Sequence, residues 1–80
     1  MSSQTIQVRF FASLREQLGH GEVEISTDSV ETIADVWQRS TDGKQMPVNT
    51  LMAINMEYVE ASHPVQPGDE VAFFPPVTGG

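Results

Sequence analysis

The segment from Ser29 to Ser40, SVETIADVWQRS, sets Val30, Ile33, Ala34 and Trp37 at i, i+3, i+4 and i+7, an apolar stripe along an amphipathic helix. A helix with one such stripe is built to lie on one apolar surface, and its neighbours in the chain read as strands. Thr5 to Phe11, TIQVRFF, alternates Ile6, Val8 and Phe10 against Gln7 and Arg9 with the period of a half-buried strand, and HGEVEIS repeats the alternation through Val23 and Ile25. Between them, ASLREQLG places Leu14 and Leu18 four apart, with Gly19 in position to stop a short helix. Asp28 followed by Glu31 has capping-box spacing, so the main helix is expected to begin at Asp28, with Trp37 a core anchor near its end.

TDGKQMP, with Asp42-Gly43 and Pro47, reads as a surface loop. LMAINMEYV holds two short apolar runs parted by Asn55, Met56 and Glu57, the pattern of a hairpin, and HPVQPGDE is turn chemistry around Pro64, Pro67 and Gly68. VAFF then closes as a strand. Strand, short helix, strand, long helix and further strands describe an α+β fold in which one main helix crosses one face of a mixed sheet. The order matches a β-grasp domain spanning residues 1–80, its first and last strands adjacent at the centre and residues 75–80 running out as an extended, free Gly-Gly tail.

Composition removes several classes of function. A net charge of −7 with only four basic residues argues against nucleic acid and anionic membranes as partners, because phosphate binding needs clustered Lys and Arg. With no cysteine, there is no disulfide, thiolate nucleophile or sulfur ligand. MSSQT lacks the character of a signal peptide and no apolar run approaches the roughly 20 residues that span a bilayer, so a cytoplasmic location is expected. His20 and His63 belong to no ligand cluster, and no metal site is expected. No Ser, His or Asp sits in a nucleophile elbow, and Gly79 and Gly80 lead into no helix, as a phosphate-binding loop must.

The remaining candidate is the C-terminal PPVTGG itself: Pro75, Pro76, Val77, Thr78, Gly79 and Gly80. A glycine pair loses more backbone freedom on ordering than any other, so it makes a poor end for a tail meant only to pack. A terminal α-carboxylate is inert until a nucleotide activates it as an acyl-adenylate, after which a sulfur or amine nucleophile displaces the nucleotide, and glycine has no Cβ to obstruct that attack. Six extended residues reach about 20 Å at roughly 3.3 to 3.6 Å each, enough to thread a neighbour's pocket. Pro75 and Pro76 fix φ and stiffen the base of the tail. Phe10 and Phe11, like Phe73 and Phe74, point to opposite faces of a strand, so one of each pair must leave the helix-covered core.

VRFFASLREQLG, AINMEYV and above all HPVQPGDEVAFFPPVTGG resemble the small, sulfur-carrier subunits of molybdopterin synthase, over the whole fold apart from a central loop at 41–50. A bare Gly-Gly is shared with the thiazole sulfur carriers and with ubiquitin, whereas FFPPVTGG after a G-D-E turn is more specific. The resemblance implies that Gly80 is adenylated by an E1-like adenylyltransferase using ATP and converted to a thiocarboxylate (1-thioglycine) with sulfur from a donor protein. It implies further that residues 75–80 enter the large synthase subunit within a heterotetramer, where sulfur passes to cyclic pyranopterin monophosphate in two transfers that build the dithiolene. The chain is then a sulfur-donor subunit of a sulfurtransferase, with no stably bound cofactor of its own and the catalytic side chains in the large subunit. It also places Phe11, Tyr58 and Phe74 at the partner interface. The rival expectations are a ubiquitin-like protein modifier, with Gly80 amide-linked to target lysines, and a thiazole-biosynthesis sulfur carrier.

Overall fold

The alternation of the N-terminal segment becomes burial. In a computed structural model that describes residues 4–76, Ile6, Val8 and Phe10 are almost fully enclosed while Arg9 between them is exposed. They lie on strand β1 (Thr5–Phe10), which is followed by α1 (Ser13–Leu18), β2 (Glu22–Ser26), α2 (Ile33–Thr41), β3 (Leu51–Ile54), β4 (Glu57–Val59) and β5 (Glu70–Phe74). The sheet order is β2-β1-β5-β3-β4. β1 and β5 run parallel at its centre with Val8 opposite Val71 and Phe10 opposite Phe73, and the other neighbours are antiparallel. This is the expected mixed sheet of a ubiquitin-like β-grasp fold, with α2 packed on one face.

The centre of the core is aromatic. Phe10 and Phe73 stack with ring centroids 5.8 Å apart, and Trp37 sets its edge against both, at 5.9 and 5.0 Å. Such edge-to-face contacts add roughly 0.5–1.5 kcal/mol per pair beyond the area they bury. The Trp37 indole N–H donates to the Lys44 carbonyl at 2.6 Å, so its polar atom is satisfied and the loop after α2 is tied to the helix.

Helix α2 does not begin at Asp28. Its N-cap is Thr32, whose Oγ1 accepts from the Asp35 amide at 3.4 Å while Asp35 Oδ2 accepts from the amides of Thr32 and Glu31 at 3.2 and 2.9 Å. The next two amides, of Ile33 and Ala34, donate to the His63 and Ala61 carbonyls. Four residues earlier the chain makes a turn instead: the Val30 amide donates to the Thr27 carbonyl and Ser29 takes φ 64°. The later start rotates the buried stripe. It comprises Ile33, Val36, Trp37, Ser40 and Thr41, with Ala34 exposed and Val30 buried ahead of the helix. Thr41, expected in the loop, is the last helical residue. Phe11, expected at the end of the first strand, lies just beyond it.

The amides of Glu31 and then Thr32 hold the Asp35 carboxyl below its ordinary pKa of 3.8. A depressed carboxylate stabilises the fold fully above its unfolded-state pKa and loses that effect as pH falls through the lower folded value. Asp35→Asn should therefore lower unfolding free energy at neutral pH, and the gap from the unaltered chain should close as pH falls below 3.8, as measured by urea titration.

Candidate partner-docking face

Strand alternation sends Val71 and Phe73 to the helix side of the sheet, and Ala72 and Phe74 to the open side. Register assembles the rest of that face: Ala53 and Leu51 of β3 lie opposite Ala72 and Phe74, Tyr58 of β4 lies opposite Ala53, and Arg9 of β1 lies opposite Ala72. Phe11 is fixed by its backbone. Its amide donates to the Phe73 carbonyl and its carbonyl accepts from the Leu14 amide, both at 3.1 Å, closing a turn in which Ala12 takes φ 53° and α1 begins.

The three aromatic residues expected at an interface are thereby brought together. The rings of Phe11 and Phe74 stack at 4.7 Å and 7°, and Tyr58 lies 6.1 Å from Phe74. Phe11 is 37% and Tyr58 72% exposed, so the cluster faces solvent rather than the core. The small side chains of Ala53 and Ala72 leave a shallow concavity between these rings, rimmed by Met56, Arg9 and Glu70. Arg9 Nε lies 2.8 Å from Glu70 and 3.7 Å from Glu22; at this half-exposed site the pairs add little stability but keep the guanidinium engaged beside the apolar patch. An open sheet face carrying clustered aromatics is suited to binding a protein surface.

Pro75 and Pro76 follow β5 directly and are half-buried. Val77, Thr78, Gly79 and Gly80 lie outside the described residues. Met56, 94% exposed on the rim of the concavity, was legible in the sequence only as a turn residue; no periodicity marks it as part of a surface. His20 packs against Phe10 at 5.6 Å and His63 Nδ1 lies 2.8 Å from the Pro64 carbonyl. Among the described residues no group of three or more His, Asp or Glu is placed to hold a metal ion. Nor is any helix among them long and apolar enough to cross a membrane.

The sequence profile of the ThiS family matches residues 8–80. The chain is 42% identical over 85 aligned residues to the molybdopterin synthase sulfur carrier subunit of Escherichia coli, covering 94% of this chain and 99% of that protein. Its fold is similar to that of SAMP1 from Haloferax volcanii, a small archaeal modifier protein, with a TM-score of 0.77 at 26% identity over 95% of this chain and 99% of the other. A complex of subunits 1 and 2 of the molybdopterin-converting factor from Helicobacter pylori contains a chain of the same fold, with a TM-score of 0.65 at 20% identity over 95% and 99% of the two chains.

Proposed function

The chain belongs to the ThiS family and is homologous to a molybdopterin synthase sulfur carrier subunit; on that premise we propose that it carries sulfur to the molybdopterin precursor as a thiocarboxylate on Gly80. An E1-like adenylyltransferase joins the Gly80 carboxylate to AMP, releasing pyrophosphate from ATP. A hydrosulfide equivalent released by a donor protein then displaces AMP, so that a C–S bond replaces the bond to the phosphate oxygen and leaves the thiocarboxylate. In the large synthase subunit the sulfur passes to cyclic pyranopterin monophosphate, and water restores the carboxylate oxygen. This chain supplies the reacting atom and a docking surface, while the large subunit supplies catalytic side chains. ATP-dependent activation suits a cytoplasmic protein.

The observation that carries this reading is the position of the aromatic face. Phe74, at its centre, is the last residue of β5, and Pro75 and Pro76 lead from it towards Gly80. A partner that covers Phe11, Tyr58 and Phe74 is anchored within six residues of the reacting terminus. The Helicobacter pylori complex supports such a pairing, because it joins a chain of this fold to a second subunit.

Phe74→Ala should therefore weaken assembly with the large subunit by about 2 kcal/mol or more, as expected of an aromatic anchor in a desolvated pocket. Its effect on folding should be smaller, since Phe74 is only partly buried. Titration calorimetry and urea unfolding separate the two. Full affinity in the variant would remove the docking role from this face.

Similarity to an archaeal modifier protein favours a second reading, in which the Gly80 adenylate is attacked by a target lysine. Purification from cells distinguishes them. A modifier is recovered amide-linked to larger proteins, and a carrier as a free chain with one terminal oxygen replaced by sulfur.

A further inference from the structure

The β3–β4 turn has two residues, Asn55 and Met56, between the paired Ile54 and Glu57, and both take positive φ, 48° and 73°. Two-residue hairpin turns of this kind favour Asn followed by Gly, because the second position is left-handed and a Cβ there is unfavourable. Asn55 fits its place. Its amide donates to the Glu70 carbonyl at 2.8 Å, its Oδ1 accepts from the Glu70 amide at 3.0 Å, and its Nδ2 donates to Asp69 Oδ1 at 3.0 Å. Met56 does not. Three hydrogen bonds tie the residue before it to Asp69 and to Glu70, the first residue of β5, so the turn cannot easily relax, yet the Met56 side chain is 94% exposed.

A side chain held in an unfavourable backbone conformation without burial in its own fold invites a role outside it. Met56 stands on the rim of the concavity, on the same side of the sheet as Ala53, Tyr58 and Phe74. We infer that Met56 is an anchor for the large synthase subunit, closing over an apolar side chain of that partner seated on Ala53 and Ala72 beside the Phe11–Phe74 stack. The inference rests on the docking role proposed for this face and adds a contact residue to it. An unbranched thioether suits the position, because it moulds to a surface presented by another chain and contacts aromatic rings favourably. The hydrogen bonds of Asn55 hold the turn in register with β5, so Met56 is presented at a fixed distance from Phe74 before the partner arrives.

The test compares Met56→Asn, which tolerates the left-handed conformation but is polar, with Met56→Leu, which keeps an apolar side chain. By calorimetric titration with the large subunit, Met56→Asn should raise Kd about tenfold while unfolding at or above the temperature of the unaltered chain, and Met56→Leu should stay within about threefold. An unchanged Kd for Met56→Asn, with Phe74→Ala still weakened, overturns the anchor but leaves the docking face intact. Unchanged affinity in both overturns the docking face as well. Peroxide footprinting of the unaltered chain gives a reading independent of any variant. Met56 should oxidise rapidly in the free chain and slowly in the complex, and equal rates overturn the inference.

Discussion

A chain lacking Gly80 is expected to unfold at the temperature of the full chain and to accept no sulfur. The core aromatics and the apolar pairs of β1 and β5 lie between Ile6 and Phe73, so the deletion leaves every one of those residues in place and should shift stability by no more than about 0.5 kcal/mol, as for a surface change. The chemistry is far less tolerant. Shortening the tail withdraws the carboxylate by one residue, about 3.5 Å, from the position in which an activating enzyme holding the domain receives it. A misplacement of about 1 Å can already cost on the order of 100-fold in rate. Mass spectrometry of the terminus, after incubation with ATP, the activating enzyme and a sulfur donor, should find no thiocarboxylate. Normal loading of the shortened chain would mean that Gly80 is not the reacting residue.

Phe73→Ala is expected to do the reverse, weakening the fold itself and lowering every activity with it. Phe73 is fully buried, stacked on Phe10 and met by the edge of Trp37, and the cavity left by its loss cannot be filled by the rigid sheet beneath it. Truncations of this kind cost about 3–5 kcal/mol. A domain of this size is stabilised by only about 0.05–0.15 kcal/mol per residue, so the loss takes much of the total. Far-UV circular dichroism in urea should show a large fall in the unfolding midpoint. Adjacent phenylalanines thus separate two properties: residue 73 maintains the domain, while residue 74 serves what the domain binds.

That division was half legible in the sequence. In the first strand the polar Gln7 and Arg9 already mark Phe10 as the inward phenylalanine, but VAFF has no polar residue to break the tie, so choosing between Phe73 and Phe74 needs the register of β1 and β5. The pairing of those strands joins opposite ends of the chain, so element order suggests it without fixing it. The start of α2 misled the reading because two capping patterns lie four residues apart. Asp28 and Glu31 have the right spacing, but the turn ending at Val30 draws Asp28 out of helical phase, and Thr32 with Asp35 caps instead. Counting the stripe from Val30 then put Ala34 inside, whereas the true phase buries Val36. Met56 was out of reach, since only its left-handed φ and its place beside the concavity distinguish it from any other turn residue.

Delivery of sulfur to a pterin, rather than attachment to proteins, is the property that distinguishes a carrier from a modifier. The most direct measurement combines the chain carrying a Gly80 thiocarboxylate with the large synthase subunit and cyclic pyranopterin monophosphate, in the absence of ATP, the activating enzyme and any sulfur donor. The thiocarboxylate should revert to carboxylate as the dithiolene product forms, with two carrier chains consumed for each product. A thiocarboxylate that persists in the assembled complex while the precursor remains unconverted would contradict the carrier role.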